Sequence, residues 1–346
     1  MTAPMTTTIP IIENITSSIG VRGKNFSKDE HREEDLVKQP VGEHQHQRTV
    51  STLALASTAV RLAPQFWERL SADRKRPVAA ARHSPRFGDW RNEGLYAAWI
   101  GHSTVVIRMD SFTIMTDPVF SNRVGINVGP WTLGVKRLVE PAAKLLEVPR
   151  PDLILLSHAH MDHFDLPTLR RLEHRETAVI TAPNTKDLLR PERYDEVQEL
   201  RWNESVQIGP ATVRAFEVKH WGARMRNDTQ RGYNGYVVEA GRYRVLFGGD
   251  TAHTDTFRPL RGLGRIDLAI LPIGAYDPWI RAHCNPEQAL QMATDAGAER
   301  VLPVHHQTFE LSREPVREPI ERLVAAVGVD TDRICVQEIG QEMHVS

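Results

Sequence analysis

The chain has 346 residues, of which 40% are hydrophobic, and it carries 43 basic against 44 acidic side chains, a net charge of −1. This length and composition suit one large or two ordinary globular domains and argue against a fibrous or wholly disordered chain. The balanced charge excludes a global field that would draw the protein to nucleic acid or an anionic bilayer, so such a partner would need a local patch.

Cysteine usage and hydropathy indicate the cellular compartment of the protein. The two cysteines, Cys284 and Cys335, are too few for a disulfide framework, and neither lies in a CxxC pair that could hold zinc. No apolar run approaches the ~20 residues needed to span a bilayer. The first thirty residues lack the basic start and apolar core of a signal peptide. We therefore expect a cytoplasmic protein.

The first part of the chain differs from the rest. Residues 1–50 are rich in Thr, Ser, Asn, Gln and charge, and this composition buries too little apolar area to order itself, so we predict a flexible tail. Residues 51–86 form an apolar and basic lead-in segment. We expect this segment to pack on the main domain, with peripheral membrane contact as the alternative. The main domain is expected over residues 87–346.

From residue 87 the pattern is rich in short runs typical of β-strands. Strands are predicted over residues 97–100, 104–108, 113–116, 153–156, 178–181, 212–218, 235–239, 244–247, 268–273, 300–304 and 334–338. Helices interrupt them. Asp165 and Asn285, each followed by a proline within two residues, are N-cap signals. Ser312 is predicted to open a third helix that runs towards Val327.

Four ligand-type side chains follow the apolar run 153–156, in the segment His158-Ala159-His160-Met161-Asp162-His163. In an extended backbone His158 and His160 point the same way, whereas the adjacent Asp162 and His163 diverge. The segment can therefore serve two metal ions. Imidazole and carboxylate ligands without cysteine favour two Zn²⁺ ions, with iron or manganese as alternatives. This density of ligand-type residues favours a metal site over ordinary surface histidines.

Each ion needs further ligands, and the ends of later strands supply them. His220 follows the strand predicted over residues 212–218, Asp250 follows 244–247, and His305 follows 300–304. Strands that finish in such residues would bring them to one rim of a sheet sandwich, where loops on a rigid scaffold carry function.

With these residues the sequence resembles the metallo-β-lactamase superfamily, whose HxHxDH signature stands at residues 158–163. The resemblance covers roughly residues 90–340. It implies a hydrolase domain of the α/β class, built as a four-layer αββα sandwich. It assigns one ion to His158, His160 and His220, the other to Asp162, His163 and His305, and makes Asp250 the bridging ligand. His306 is the competing choice for the last ligand. The family pattern of a histidine three residues before Thr-Phe favours His305.

Flanking motifs resemble the branch that contains N-acyl-phosphatidylethanolamine phospholipase D and ascorbate-6-phosphate lactonase, with closer similarity to the phospholipase. These motifs are WIGHST (99–104), TDPVFS (116–121), GAYDPW (274–279) and HCNPE (283–287). The resemblance marks His283 as a residue that contacts phosphate or transfers a proton, and Tyr276 as a pocket wall.

Four further side chains are expected around the metal ligands. His102 and Asp117 are expected to orient ligands by hydrogen bonds rather than to bind metal themselves. Trp221 and Arg224 follow the strand that ends in His220, and we expect them at the substrate mouth. A solvated surface position is the alternative for Arg224.

The resemblance implies that a hydroxide bridging two ions attacks phosphorus in a phosphodiester or carbon in an ester, lactone or amide. We expect a zinc-dependent phosphodiesterase of phospholipase D type that acts on N-acyl phospholipids or related phosphodiesters, with Asp162, Asp250 and His283 as catalytic residues. The rivals are a lactonase or other carbon-centred hydrolase and, less favoured, a non-catalytic metal-binding protein. The expected partner is a small-molecule or lipid phosphodiester and not nucleic acid.

Deleting residues 1–50 is expected to leave folding and metal content intact, because this segment has too little apolar periodicity to belong to the core. The melting temperature and metal content of the truncated protein, measured beside the full chain, check this expectation. An insoluble product, or loss of most of the thermal stability, would show that the segment is not a tail.

Overall fold

The computed structural model describes Asp73, residues 76–128 and residues 131–345. The predictions for residues 1–50, and for the lead-in segment up to residue 72, fall outside the described residues. Residues Pro77–Ser346 form one compact unit. Among the described residues, no helix is both long enough and apolar enough to cross a membrane.

The described elements are mostly strands. The strands are β1 (Leu95–Gly101), β2 (Thr104–Met109), β3 (Phe112–Thr116), β4 (Arg123–Val128), β5 (Trp131–Lys136), β6 (Leu153–Leu156), β7 (Ala178–Thr181), β8 (Val197–Glu199), β9 (Ser205–Ile208), β10 (Ala211–Phe216), β11 (Gly235–Ala240), β12 (Tyr243–Phe247), β13 (Ile266–Pro272), β14 (Ala298–Val304) and β15 (Glu342–Val345). The α-helices are α1 (Leu166–Arg171), α2 (Pro286–Ala296) and α3 (Glu318–Val327). Short 3₁₀ helices lie at Phe87–Asp89, Lys186–Leu188, Pro191–Arg193, Asp255–Leu263 and Thr331–Arg333.

Two mixed sheets form the inner layers of the fold. The first has the strand order β15-β1-β2-β3-β6-β7-β8, and the second has the order β14-β13-β12-β11-β10-β9. Each sheet is antiparallel in one half and parallel in the other. The parallel halves are β3-β6-β7-β8 in the first sheet and β12-β13-β14 in the second. Strands β4 and β5 form a separate hairpin.

The largest hydrophobic core lies between the two sheets, because alternate side chains of both point inward. It includes Trp99 and Leu155 from the first sheet and Tyr236 and Phe247 from the second, all essentially closed to solvent. Helices cover the outer faces. The second sheet packs against α2 and α3, and the first packs against α1. This layering confirms the predicted αββα sandwich.

Two local predictions are wrong. The run 334–338 is not a strand, since within it only Ile334 pairs, through an isolated bridge with Val301. The third helix begins at Glu318 and not at Ser312. Pro315 disfavours helical geometry in the residue before it, whereas Pro319 lies in the first turn of α3, where its missing N–H needs no partner. Prediction also missed β4, β5, β8, β9 and β15.

The parallel strands deliver the candidate ligands to one edge of the sandwich. Strand β6 ends two residues before His158, β12 ends three residues before Asp250, and β14 ends directly before His305. Because parallel strands of one sheet end on the same side, Asp250 and His305 follow strands that end at the same edge of the second sheet. The predicted convergence of strand ends therefore follows from the observed topology.

A glycine allows the two sheets to approach at this edge. Gly249 has φ of 56°, and a Cβ atom at this position would lie 2.6 Å from Cβ of Ser157. A larger residue at this position would be strained in the left-handed backbone conformation, and its side chain would collide with Ser157. Gly249 thus lets the segment that carries Asp250 lie against the segment that carries His158.

Candidate metal centre

Three histidines converge in a first group, formed by His158, His160 and His220. Nε2 of His158 lies 2.8 Å from Nδ1 of His160, and Nε2 of His220 lies 3.3 Å from the same atom. Imidazole nitrogens bound at 2.0–2.1 Å to a tetrahedral zinc ion lie about 3.3 Å apart. The group is therefore close to the geometry of a three-histidine metal site.

Contacts on the far side of these rings fix which nitrogen faces the group. Nδ1 of His220 lies 2.9 Å from the carbonyl oxygen of Ala282. Because a carbonyl only accepts, Nδ1 carries the proton and Nε2 presents its lone pair to the group. Burial lowers the pKa of all three imidazoles, to about 4 for His160. The rings are thus neutral at physiological pH, which is the form that binds metal.

A second group contains Asp162, His163 and His305, with His102 beside it. Oδ2 of Asp162 lies 3.4 Å from Nε2 of His305 and 3.6 Å from Nε2 of His163. Nε2 of His102 lies 3.0 Å from the same oxygen. The four side chains offer ligand-type atoms within 4.8 Å of one another. The structure therefore brings the three predicted ligands of the second ion together.

Asp250 lies between the two groups. Its Oδ2 atom is 3.1 Å from Nε2 of both His163 and His305, and 3.8 Å from Nε2 of His220. Burial raises the pKa of the Asp250 carboxyl, but the charges of His163 and His305 outweigh burial and hold that pKa well below its ordinary value. An ionised carboxylate at this position is within reach of both groups, as the predicted bridging role requires.

Several buried polar atoms of this cluster have no hydrogen-bond partner among the described residues. These atoms include Oδ1 of Asp250, Nδ1 of His283 and Nδ1 of His305. An unpaired buried polar atom costs about 1–3 kcal/mol. So many at one place indicate atoms that serve a ligand from outside the polypeptide. Imidazole and carboxylate donors without cysteine fit divalent metal ions.

Asp117 holds His163 in place, together with Ser157, the residue directly before His158. Its Oδ2 lies 2.6 Å from Nδ1 of His163, and its two oxygens accept hydrogen bonds from N and Oγ of Ser157 at 2.8 and 2.5 Å. His163 therefore donates through Nδ1 and turns Nε2 towards the second group. These contacts support the predicted orienting role of Asp117. Sequence reasoning missed Ser157, although its place directly before His158 was an available signal.

Two adjacent histidines have separate environments. His305 directs Nε2 towards Asp162 and Asp250, whereas the ring of His306 stacks on Trp99 with 4.6 Å between ring centroids. His305 has φ of 62°, so the backbone turns sharply between the two side chains. Of the two choices for the last ligand, the geometry supports His305.

His283 and Trp221 border the cluster. Nδ1 of His283 lies 3.8 Å from Oδ2 of Asp250, and burial lowers the pKa of the His283 imidazole to about 4. The ring of Trp221 lies 4.6 Å from the ring of His160 and 4.4 Å from that of His220, and it remains partly exposed. Both predicted residues are therefore in contact range of the candidate ligands.

Tyr276 and Arg224 make supporting contacts. The hydroxyl of Tyr276 donates to Oε1 of Glu318 at 2.7 Å and so ties its loop to α3. Nη1 of Arg224 donates to the carbonyl oxygens of Ala159 and Phe164 at 3.0 and 2.8 Å. This guanidinium braces the ligand segment from behind. A role for either side chain in contacting substrate stays a prediction.

A family model described as the beta-lactamase superfamily domain matches residues 113–306. The chain belongs to the metallo-β-lactamase superfamily. The mitochondrial N-acyl-phosphatidylethanolamine-hydrolyzing phospholipase D of Saccharomyces cerevisiae is 33% identical over 270 residues, which cover 72% of this chain and 57% of the yeast protein. The N-acyl-phosphatidylethanolamine-hydrolyzing phospholipase D 1 of Caenorhabditis elegans is 30% identical over 260 residues, which cover 70% of this chain and 72% of the nematode protein.

The fold also matches solved structures of the superfamily. The metallo hydrolase Igni18 of the archaeon Ignicoccus hospitalis has a TM-score of 0.56 and 19% identity, and the match covers 73% of this chain and 99% of that one. At this identity the likeness shows the fold alone. Together, the family match and the hydrolase relatives make the chain a metal-dependent hydrolase.

The purified protein is expected to carry about two equivalents of transition metal, because two ligand groups share Asp250. His305→Ala should lose about one equivalent. His306→Phe, which keeps an aromatic ring against Trp99, should retain both. Elemental analysis after chelator-free purification measures this. Metal-free protein would refute the metal centre, and greater metal loss in the His306 variant would exchange the roles of the two histidines.

Asp117→Ala is expected to weaken metal binding by about 10–100-fold, because Nδ1 of His163 loses the partner that orients its ring. Asp165→Ala is the matched control, since it removes another buried carboxylate that accepts hydrogen bonds from Ser121 and Thr168 but touches no candidate ligand. Both variants should melt earlier. Competition with a chromogenic chelator should separate them, and equal metal affinities would rule out the orienting role of Asp117.

Proposed function

We propose that this hydrolase is a phosphodiesterase of phospholipase D type, with two zinc ions, that acts on N-acyl phospholipids or related phosphodiesters. The single observation that carries this proposal is the position of His283, which borders the candidate metal ligands with an unpaired ring nitrogen. Two relatives that are 33% and 30% identical are named for hydrolysis of N-acyl-phosphatidylethanolamine. Those names supply the substrate class.

The donor set supports two ions. The first group offers three neutral imidazoles, the second offers Asp162 with two imidazoles, and Asp250 reaches both. Two zinc ions bound there would supply a water of lowered pKa and offset the negative charge that grows on the attacked phosphodiester. The seven side chains that would hold the two ions are His158, His160, Asp162, His163, His220, Asp250 and His305.

The two carboxylates have different environments, which suits different tasks. The side chain of Asp250 is 2% exposed and is surrounded by histidines, so it holds the two groups in register. The side chain of Asp162 is 17% exposed, and His102 fixes one of its oxygens. Asp162 therefore remains accessible from solvent in a fixed orientation, where its carboxylate can accept a proton from the attacking water.

His283 is the residue that adds acid–base capacity beyond the ligand set. Its ring lies 5.0 Å from that of His220 and 5.3 Å from that of His305, and its Nδ1 atom has no partner among the described residues. The neutral ring can donate an N–H hydrogen bond to a non-bridging phosphoryl oxygen. A bound phosphodiester, being negative, would raise the pKa of the His283 imidazole towards the protonated form, which can give a proton to the leaving alkoxide. The ring of Trp221 lies 4.4 Å from that of His220 and 6.2 Å from that of His283, so it borders the same space.

His283→Ala is expected to lower kcat on a phosphodiester with an alkoxide leaving group by about 10²–10⁴-fold, because the general acid is lost, while metal content stays unchanged. On bis-p-nitrophenyl phosphate, whose nitrophenolate leaves without protonation, the fall in kcat should be much smaller. His283→Gln keeps a hydrogen-bond donor but cannot transfer a proton. If His283 only binds the phosphoryl oxygen, Gln should restore kcat and the Ala variant should show mainly a raised KM. His174→Ala is the control, because it removes a half-exposed histidine that is far from His283 in the sequence.

These measurements need metal analysis and melting temperature on the same preparations. A simple lactone serves as the paired substrate for each variant. Turnover of the lactone with none of the phosphodiester would replace the proposal by a carbon-centred hydrolase. Full activity of His283→Ala on both substrates would remove His283 from the site.

A further inference from the structure

The β4–β5 hairpin carries an apolar face that begins inside the protein and continues into solvent. At its base, Val124 is buried and packs with Val135 against Phe309. The next pair outward on that face is Ile126 and Leu133, which lie directly opposite each other and are each 45% exposed. Residues two apart in a strand share a face, so the buried face and the exposed one are continuous. An exposed apolar patch of this kind commonly marks an interaction surface.

The hairpin is joined to the candidate metal centre through its base. The ring of Phe309 lies 5.1 Å from the ring of His102, edge to face. His102 in turn lies 3.0 Å from Oδ2 of Asp162. The base of the hairpin therefore lies on the side of the sandwich that holds the candidate ligands.

The charged residues within the sequence of the hairpin have one sign. Between Asp117 and Glu140 the sequence contains Arg123, Lys136 and Arg137 and no acidic residue, but Arg137 is fully buried and donates to the carbonyl oxygens of Ser121 and Val119, which leaves Arg123 and Lys136. Arg123 and Lys136 are cross-strand partners at the base of the hairpin. The whole chain is nearly neutral, so this is a local basic segment in a protein without a basic surplus. Basic side chains that flank an apolar surface favour attachment to anionic phospholipid.

We propose that the β4–β5 hairpin docks the enzyme on an anionic phospholipid surface, with Ile126 and Leu133 entering the interface and Arg123 and Lys136 facing the headgroups. The inference rests on the proposed function, because a lipid substrate gives the enzyme a reason to reach a bilayer. N-acylation removes the charge of the ethanolamine nitrogen and leaves the phosphodiester negative. A bilayer that contains the proposed substrate is therefore anionic, which matches the basic base of the hairpin.

Sedimentation of the full chain with vesicles tests this docking. The vesicles are phosphatidylcholine alone, or phosphatidylcholine with an equal amount of phosphatidylglycerol. The double variant Ile126→Ser, Leu133→Ser should bind mixed vesicles about tenfold more weakly. Arg123→Gln, Lys136→Gln should lose about 10–30-fold on mixed vesicles, with little change on phosphatidylcholine. Leu146→Ser, Val329→Ser is the matched control, since both side chains are 92% or more exposed and lie outside the hairpin.

The controls separate docking from catalysis and from assembly. All variants should hydrolyse soluble bis-p-nitrophenyl phosphate at the parent rate. The serine variants should keep the parent melting temperature, whereas Arg123→Gln, Lys136→Gln should melt slightly earlier, because the hydrogen bond from Nη1 of Arg123 to the carbonyl oxygen of Gly134 is lost. Equal vesicle binding by parent and hairpin variants, or an equal loss in the control, overturns the docking. A changed molar mass in the serine variant by light scattering also overturns it, because the face would then cover a second copy. Hairpin-dependent binding without phosphodiester turnover counts against the proposed function alone.

Discussion

The structure depends on the placement of two carboxylates among histidines in a region almost closed to solvent. Unpaired buried charges cost several kcal/mol each, so Asp162 and Asp250 need positive charge close by. Although burial lowers the pKa of His305, the neighbouring carboxylates of Asp250 and Asp162 together outweigh it and raise that pKa to about 9. His163 responds in the same direction. The cluster thus requires positive charge at its centre, and divalent cations meet that requirement with the ligand types present.

The backbone geometry of the fold brings the carboxylates and the histidines together. The candidate ligands come from ends of strands in both sheets, so no single element could assemble them. The close approach depends on Gly249, whose missing side chain leaves room for Ser157, and Ser157 in turn donates to Asp117. Asp117 then fixes His163. The side chains that orient the cluster are therefore as buried as the core. Because they pack where the two sheets approach each other, the packing of the sandwich fixes the positions of the ligand atoms.

Sequence reasoning succeeded where the signal was local. The HxHxDH segment and the apolar runs before His158, Asp250 and His305 predicted both the strands and their shared edge. It failed where partners come from distant parts of the chain: the run 334–338 has strand-like residues but only one of them pairs. Gly125 and Gly134 interrupt the alternation that would have predicted the β4–β5 hairpin, although the strands meet there too closely for any side chain.

Hydrolysis of a lipid phosphodiester imposes two opposite requirements on one surface. The phosphodiester must reach buried ligand atoms, whereas the acyl chains are most stable in an apolar phase. An enzyme for such a substrate needs an apolar contact surface beside its site, held in fixed relation to it. In the proposed docking Phe309 would provide this link, because it packs against Val124 at the base of the hairpin and also touches His102, which holds Asp162. The same aromatic ring therefore belongs to the support of the proposed docking surface and to the wall of the metal centre.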